Sequence, residues 1–227
     1  MRWLLIVLFL LPSTVFAENV SRVTTSALNI VQINLNSPTV DIQIVSARKG
    51  PCSVESFGSM VKRVRPVAAI NGGFFCMRTL RPIGDIRTNS IGRHGCYGDD
   101  LLANGNKVHF LSRQLARQCK GNIIGLGPRL LWNGKIALDP ASEKFTGKVH
   151  FAVRIRTAIA ITKSNKLIFA ISRRPMYLRD MAKQLLNYGC TTAYGIDGGS
   201  SSGLFYKGKF IVGPGRSIVN CIVVVKA

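Results

Sequence analysis

The sequence predicts an α+β fold: a single strand-rich domain with a mixed sheet and two short crossover helices. Three observations predict it. Apolar runs of strand length, bounded by turn residues, recur along the chain. Two segments carry apolar residues at helical spacing instead. Each of those lies between two strand-like runs, and the second run ends on Asn or Asp followed by Gly-Gly.

The chain opens on Met1-Arg2, an apolar stretch from Trp3 to Leu11, and Pro12-Ser13-Thr14 before Val15-Phe16-Ala17. A positive start, a short apolar core and a small residue at the cut read as a signal peptide over residues 1–17, too short to span a bilayer. An uncleaved anchor is the alternative, and nothing after Ala17 extends the apolar run. Residues 18–227 then form one domain of ordinary size, secreted or periplasmic, with no later transmembrane segment.

Within that domain Val40, Ile42 and Ile44 alternate with polar neighbours, a half-buried strand. Val54, Phe57, Val61 and Val64 recur at helical spacing, with Ser53 as the N-cap candidate. Pro66 to Ile70 reads as a buried strand ending at Asn71-Gly72-Gly73. The order then repeats. Thr157 to Thr162 and Leu167 to Ser172 are strands joined by the turn Lys163-Ser164-Asn165-Lys166. Leu178, Met181, Ala182, Leu185 and Leu186 place an apolar stripe on one helix face, closed by Gly189. Thr192 to Ile196 leads to Asp197-Gly198-Gly199; Phe205-Tyr206 and Phe210 to Val212 suggest a hairpin, and Ser217 to Val225 a closing strand. A crossover of this kind brings its two strands together in parallel, with ligands bound beyond their carboxyl ends. Both Gly-Gly turns occupy that position and are expected to converge on one pocket.

Composition narrows the partners. Lys and Arg number 31 against 10 Asp and Glu, a formal charge of +21. The bases are spread along the chain rather than gathered into an arm, so no nucleic-acid partner is expected; anionic envelope polymers or lipids are, with solubility alone as the plainer role. Six cysteines behind a secretory signal suggest disulfides, with pairing left open. None sits in a Cys/His cluster, Asp99-Asp100 falls short of a calcium loop, and neither metal nor cofactor is expected. His94, His109 and His150 stand isolated and read as surface or packing residues.

The strongest chemical signal is Asp197-Gly198-Gly199-Ser200-Ser201. Its glycines permit positive φ and close approach of a ligand to backbone amides, beside a carboxylate held at a strand end. In company with other blocks, in order, it resembles the phosphodiester glycosidase family: Ala69-Ile70-Asn71-Gly72-Gly73-Phe74-Phe75 with Pro82-Ile83-Gly84, then Gly125-Leu126-Gly127-Pro128-Arg129 with Asn133-Gly134-Lys135, Arg156-Thr157-Ala158-Ile159, Ile196 to Ser201, and Arg216-Ser217-Ile218-Val219-Asn220. Ser200 and Ala160 stand where that family commonly carries glycine.

The resemblance implies hydrolysis between a sugar's anomeric carbon and a phosphodiester, on an anionic glycan. Ordinary glycoside hydrolysis uses two carboxylates because an alkoxide leaves poorly without protonation, whereas a phosphate monoester leaves more readily and needs cationic stabilisation. On this view Asp197 is the nucleophile or base. Arg156 and Arg216 hold phosphate oxygens through their forks, with Arg129 as a third. Asn71, the Gly72 and Gly73 amides, and Gly198, Gly199 and Ser200 bind substrate. Asp85 is either a second carboxylate or a turn cap. The alternative reading is a degenerate member that binds anionic glycans without turnover.

Overall fold

The computed structural model describes residues 19–88 and 91–227; the expected signal peptide lies outside the described residues. Among the described residues three sheets and four short α-helices make the fold. The first sheet runs β1 (Val20–Thr24), β2 (Leu28–Asn34), β13 (Lys166–Ser172), β12 (Thr157–Thr162), β14 (Cys190–Ile196), β10 (Arg129–Trp132) and β11 (Lys135–Ile136). The second runs β16 (Lys209–Val212), β15 (Leu204–Tyr206), β4 (Ala68–Asn71), β17 (Asn220–Lys226) and β3 (Val40–Ser46). The third, absent from the reading of the sequence, runs β6 (Ile91–Arg93), β5 (Ile86–Thr88), β9 (Asn122–Leu126), β7 (Asp99–Asn104) and β8 (Lys107–Leu111).

The α+β class stands, but the sheets are not mixed: among the described residues every strand pairing is antiparallel. The expected crossovers do exist. Helix α1 (Phe57–Val64) joins β3 to β4, and α4 (Leu178–Asn187) joins β13 to β14. In each case a third strand sits between the two, β17 in one and β12 in the other. The connected strands therefore point the same way without touching, because each pairs antiparallel with the inserted one. The sequence order strand–helix–strand could not reveal that insertion, since β17 comes from the far end of the chain.

Period-two alternation sorts the side chains into layers. Val31, Ile33, Ile159, Phe169 and Tyr194 face the main core, where they meet Ile42, Ile70 and Ile222 of the second sheet and Leu101 and Ile124 of the third. Their neighbours Ile30, Ala158, Ala160 and Ile168 face outward and are covered by Leu178, Met181, Ala182 and Leu185 of α4. Helix α1 does the same for the second sheet through Phe57, Met60 and Val61, and α2 (Arg113–Gln118) covers the third with Ala116. A sheet covered on both faces needs apolar residues at successive positions, hence the unbroken apolar runs. The N-cap of α1 is Ser56, not Ser53: its side chain accepts the Ser59 amide, at the N3 position a capping hydroxyl serves. Gly189 follows α4 at φ 93°, as expected of a residue just past a helix end.

All six cysteines are free thiols, and no bridge joins them in this structure. Burial among apolar side chains pushes the Cys190 and Cys221 thiols up to about 12. No helix among the described residues is long and apolar enough to cross a membrane.

One buried acid sets a pH dependence. Asp100 on β7 is fully buried and neither carboxylate oxygen has a partner. Burial, then Asp85, raises its pKa to about 7 against the pull of Arg113 and Arg117. The folded state thus keeps a proton that the unfolded chain releases, so Asp100 makes stability fall as pH rises from about 4 to about 7 and leaves it low above that. Asp100→Asn is expected to flatten this fall and to stabilise the protein at pH 8 by roughly 2–4 kcal/mol. Urea unfolding at pH 5 and pH 8 measures both effects; an unchanged pH slope would contradict them.

Candidate active site

The two Gly-Gly turns meet where the first and second sheets adjoin. β4 delivers Asn71 and β14 delivers Asp197, and the backbones are stitched together there. The Asp197 amide donates to the Gly72 carbonyl at 3.2 Å. The Asn71 Nδ2 donates to the Asp197 carbonyl at 2.6 Å and to that of Gly72 at 3.3 Å, while its Oδ1 accepts the Gly203 amide at 3.0 Å. Asn220 closes the junction from β17: its carbonyl accepts the Gly72 amide at 3.0 Å and its Oδ1 accepts the Gly73 amide at 2.9 Å. A Cβ on residue 72 would lie 1.8 Å from that Oδ1, which only glycine avoids.

These contacts correct the expected roles of Asn71, Gly72 and Gly73. None of the three is on the lining of the cleft that holds Asp197: Asn71 and Gly72 tie the second sheet to the first, and the Gly73 amide is held by Asn220 within the second sheet. Convergence holds, but one turn frames the other. It also explains why the first turn carries Asn and the second Asp: an amide can donate to two carbonyls where a carboxylate can only repel them. Asn71→Asp is expected to cost about 3–5 kcal/mol in urea unfolding. A loss under about 1 kcal/mol would show that the stitch matters little.

Asp197 sits in a cleft of about 260 Å³ whose lining includes Phe74, Phe75, His150, Arg156, Gly198 to Ser200 and Arg216. It is the one carboxylate on that lining among the described residues. Its Oδ2 accepts Arg216 Nη2 at 2.9 Å, and Ser201 and the Gly198 amide bond to the same carboxylate. Arg216 is itself positioned by Nε donation to the Ser201 hydroxyl at 2.6 Å, by Met77 Sδ at 2.9 Å, and by the face of Phe75 at 4.9 Å. Burial raises the pKa of Asp197 above the ordinary range, opposed by Ser201 and Arg216. A carboxylate kept ionised by one cation in a poorly hydrated cleft suits attack or proton abstraction.

Arg156 is placed otherwise than expected. Its Nε donates to the Met176 carbonyl at 3.0 Å, its Nη1 to that of Val149 at 3.1 Å and its Nη2 to that of Ala152. The guanidinium edges the cleft but is committed to holding helix α3 (Lys148–Phe151) against the loop before α4, rather than presenting a free fork. Burial, then Arg154, lowers its pKa to about 10. Arg129 lies outside the cleft, ion-paired with Asp99, donating to the Tyr194 hydroxyl at 3.0 Å and stacked on Trp132. Asp85 is no second carboxylate: Arg117 grips it through Nε at 2.6 Å and Nη2 at 2.8 Å, away from the cleft. Gly198, Gly199 and Ser200 do line the cleft, although the Gly199 amide is committed to the Ile155 carbonyl at 2.9 Å.

His150, read as a packing residue, lies on the cleft wall between Phe74 and Phe145, with ring centroids 5.2 and 5.1 Å away. Burial, then Arg156, lowers its pKa to about 4, so the imidazole is neutral at pH 7. Nothing in the spacing around His150 signalled this, because Phe74 and the rest of the cleft come from distant segments. Ser201 and Asn220 were legible only as members of motif blocks. No group of three or more metal-ligating side chains occurs among the described residues.

The phosphodiester glycosidase family matches residues 65–225, most of the chain and all of the cleft's residues. The chain belongs to this family. Among solved structures, the catalytic domain of zebrafish N-acetylglucosamine-1-phosphodiester alpha-N-acetylglucosaminidase, auto-inhibited by its pro-peptide, superposes with a TM-score of 0.70 at 19% identity, covering 92% of this chain and 82% of that one. A hypothetical protein from Synechocystis gives a TM-score of 0.73 at 16% identity, covering 90% and 61%. A candidate exported protein from Burkholderia pseudomallei K96243 gives 0.65 at 11% identity, covering 92% and 76%. At these identities the likeness establishes the fold. No curated protein matches the chain in sequence. Membership accounts for the glycines of the outer blocks: a Cβ on Gly84 would lie 2.6 Å from the Gly125 Cα, and one on Gly125 would lie 2.4 Å from the Gly84 Cα. Two motif blocks far apart in sequence are therefore a single backbone-to-backbone contact.

Proposed function

We propose that this phosphodiester glycosidase family member is an exported hydrolase that cleaves the bond between a sugar's anomeric carbon and a phosphodiester. One observation carries the reading: among the described residues the cleft pairs a single buried carboxylate, Asp197, with an adjacent arginine, Arg216, and has no second acid on its lining. That is too little for a leaving alkoxide and enough for a leaving phosphate, which departs as an anion if a cation receives it. Asp197 acts on the anomeric carbon, directly as nucleophile or by taking a proton from water. Arg216 receives the departing phosphate and keeps Asp197 ionised. Water supplies hydroxyl to the sugar and a proton to the system. His150, Phe74 and Phe75 form the wall for the sugar ring. Export is supported by the sequence of residues 1–17. An anionic envelope glycan is the expected substrate because the chain carries 31 Lys and Arg against 10 Asp and Glu.

The test is release of reducing sugar from an N-acetylglucosamine phosphodiester. Arg216→Lys should lower kcat/KM by about 10²-fold on that substrate, since an ammonium cannot hold Ser201, Asp197 and phosphate together. On a glycoside with a good neutral leaving group the loss should be markedly smaller. Equal losses on both would remove Arg216 from the leaving-group side. Binding without any turnover would favour the non-catalytic alternative, which is supported by Ser200 and Ala160 standing where the family commonly carries glycine.

A further inference from the structure

The region around the cleft mouth combines exposed apolar side chains with exposed cations. Of the eleven large apolar side chains exposed among the described residues, Met77 and Val149 line this cleft, and Phe151, Val153 and Tyr177 are chain neighbours of the lining residues His150, Arg154 and Leu178. Three chain segments bring them there. Arg154 and Met176 form a bridge with paired backbone bonds at 3.2 and 2.8 Å, which sets Val153 beside Tyr177. Arg156 ties the same strip to α3 through the Val149 and Ala152 carbonyls. Met77 reaches the rim through Arg216 and shares the cleft lining with Val149, Arg154 and Leu178.

The same segments are basic throughout. Residues 77–81, 148–156 and 173–179 contain no Asp or Glu, and they expose Arg78, Lys148, Arg154, Arg174 and Arg179. Asp180, in the first turn of α4, is the one acid that adjoins these segments in sequence, and none of the five cations forms an ion pair among the described residues. Apolar tips set among uncompensated cations are what a protein needs to lie on an anionic bilayer: the tips enter the acyl boundary and the cations meet the headgroups. A nucleic acid would satisfy the charge while leaving aliphatic Val149 and Val153 against phosphate, where they gain nothing.

We propose that the rim formed by α3, the strip around Arg154 and the start of α4 docks on an anionic phospholipid bilayer, so that the cleft opens onto the membrane surface. Resting on the proposed activity, the substrate class is then a sugar phosphodiester borne by a lipid or held at the headgroup layer. Docking itself does not depend on catalysis.

Flotation of the whole protein with vesicles tests it. The protein should float with vesicles containing phosphatidylglycerol and remain behind with pure phosphatidylcholine. Raising salt should weaken the association. Phe151→Ser/Val153→Ser/Tyr177→Ser and, separately, Arg174→Glu/Arg179→Glu should each reduce binding at least about tenfold. None of these five side chains lines the cleft, so turnover of a short soluble sugar phosphodiester should be unchanged and melting should confirm the fold. Equal flotation with neutral vesicles, wild-type binding by either variant, or a stable dimer that the triple variant abolishes would overturn the docking proposal. Loss of docking with soluble turnover intact separates it from a failure of the proposed activity, which would leave flotation unchanged.

Discussion

Asp197→Asn is expected to reduce sugar release by between about 10² and 10⁴ in kcat while the protein stays folded and binds ligand. The fold tolerates the change because burial, not pairing, dominates the environment of Asp197 and makes its charge costly. An amide keeps the shape and can still accept from Ser201 and Gly198, but it can neither attack the anomeric carbon nor take a proton. The wild-type pH profile should report the same group. Because its pKa is raised, the acidic limb of kcat/KM should lie above the ordinary Asp range, with activity gained as the pH passes through it. Turnover on a sugar phosphodiester, ligand titration and thermal melting make the comparison. A folded variant with near wild-type turnover would remove Asp197 from the chemistry.

Arg156→Lys is expected to act through structure. Three carbonyls from two segments surround one guanidinium. A lysine ammonium at the end of a flexible stem cannot reach acceptors spread in three directions, so at least one buried carbonyl is left unsatisfied. A loss of about 2–4 kcal/mol in stability is expected, with a lower Tm. Catalysis should fall as well, because α3 carries His150 onto the cleft wall. That loss should be the same on phosphate and neutral leaving groups, unlike the loss from Arg216→Lys. Parallel melting curves and kcat/KM values on two substrates distinguish the two arginines. A stable Arg156→Lys protein with a loss confined to phosphate substrates would restore Arg156 as a phosphate ligand.

The contrast between these arginines marks the limit of sequence reading. Both stand in motif blocks, and both side chains suit a phosphate. What separates them is which carbonyls lie within reach, and those of Val149, Ala152 and Met176 are set by how α3 and the loop before α4 pack. Arg129 fails for a related reason: its strand lies beside β14, but its side chain turns to Asp99 and Tyr194. His150 is the converse case, a residue isolated in sequence that packs against Phe74 from a distant segment on the cleft wall.

The sequence by itself determined the strands that flank the two crossover helices, the closing hairpin and strand, the helices themselves, the family and the position of Asp197 at a strand end. Those rest on periodicity, on glycine placement and on motif order, all local along the chain. Only the tertiary structure decided strand neighbours. β17 and β12 enter between crossover partners because hydrogen bonding completes a sheet regardless of where in the chain a strand originates. It also decided which polar groups remain for a ligand. Buried donors and acceptors must be satisfied first, so Asn71, Asn220 and Arg156 serve the frame, and Asp197 and Arg216 are left facing the cleft.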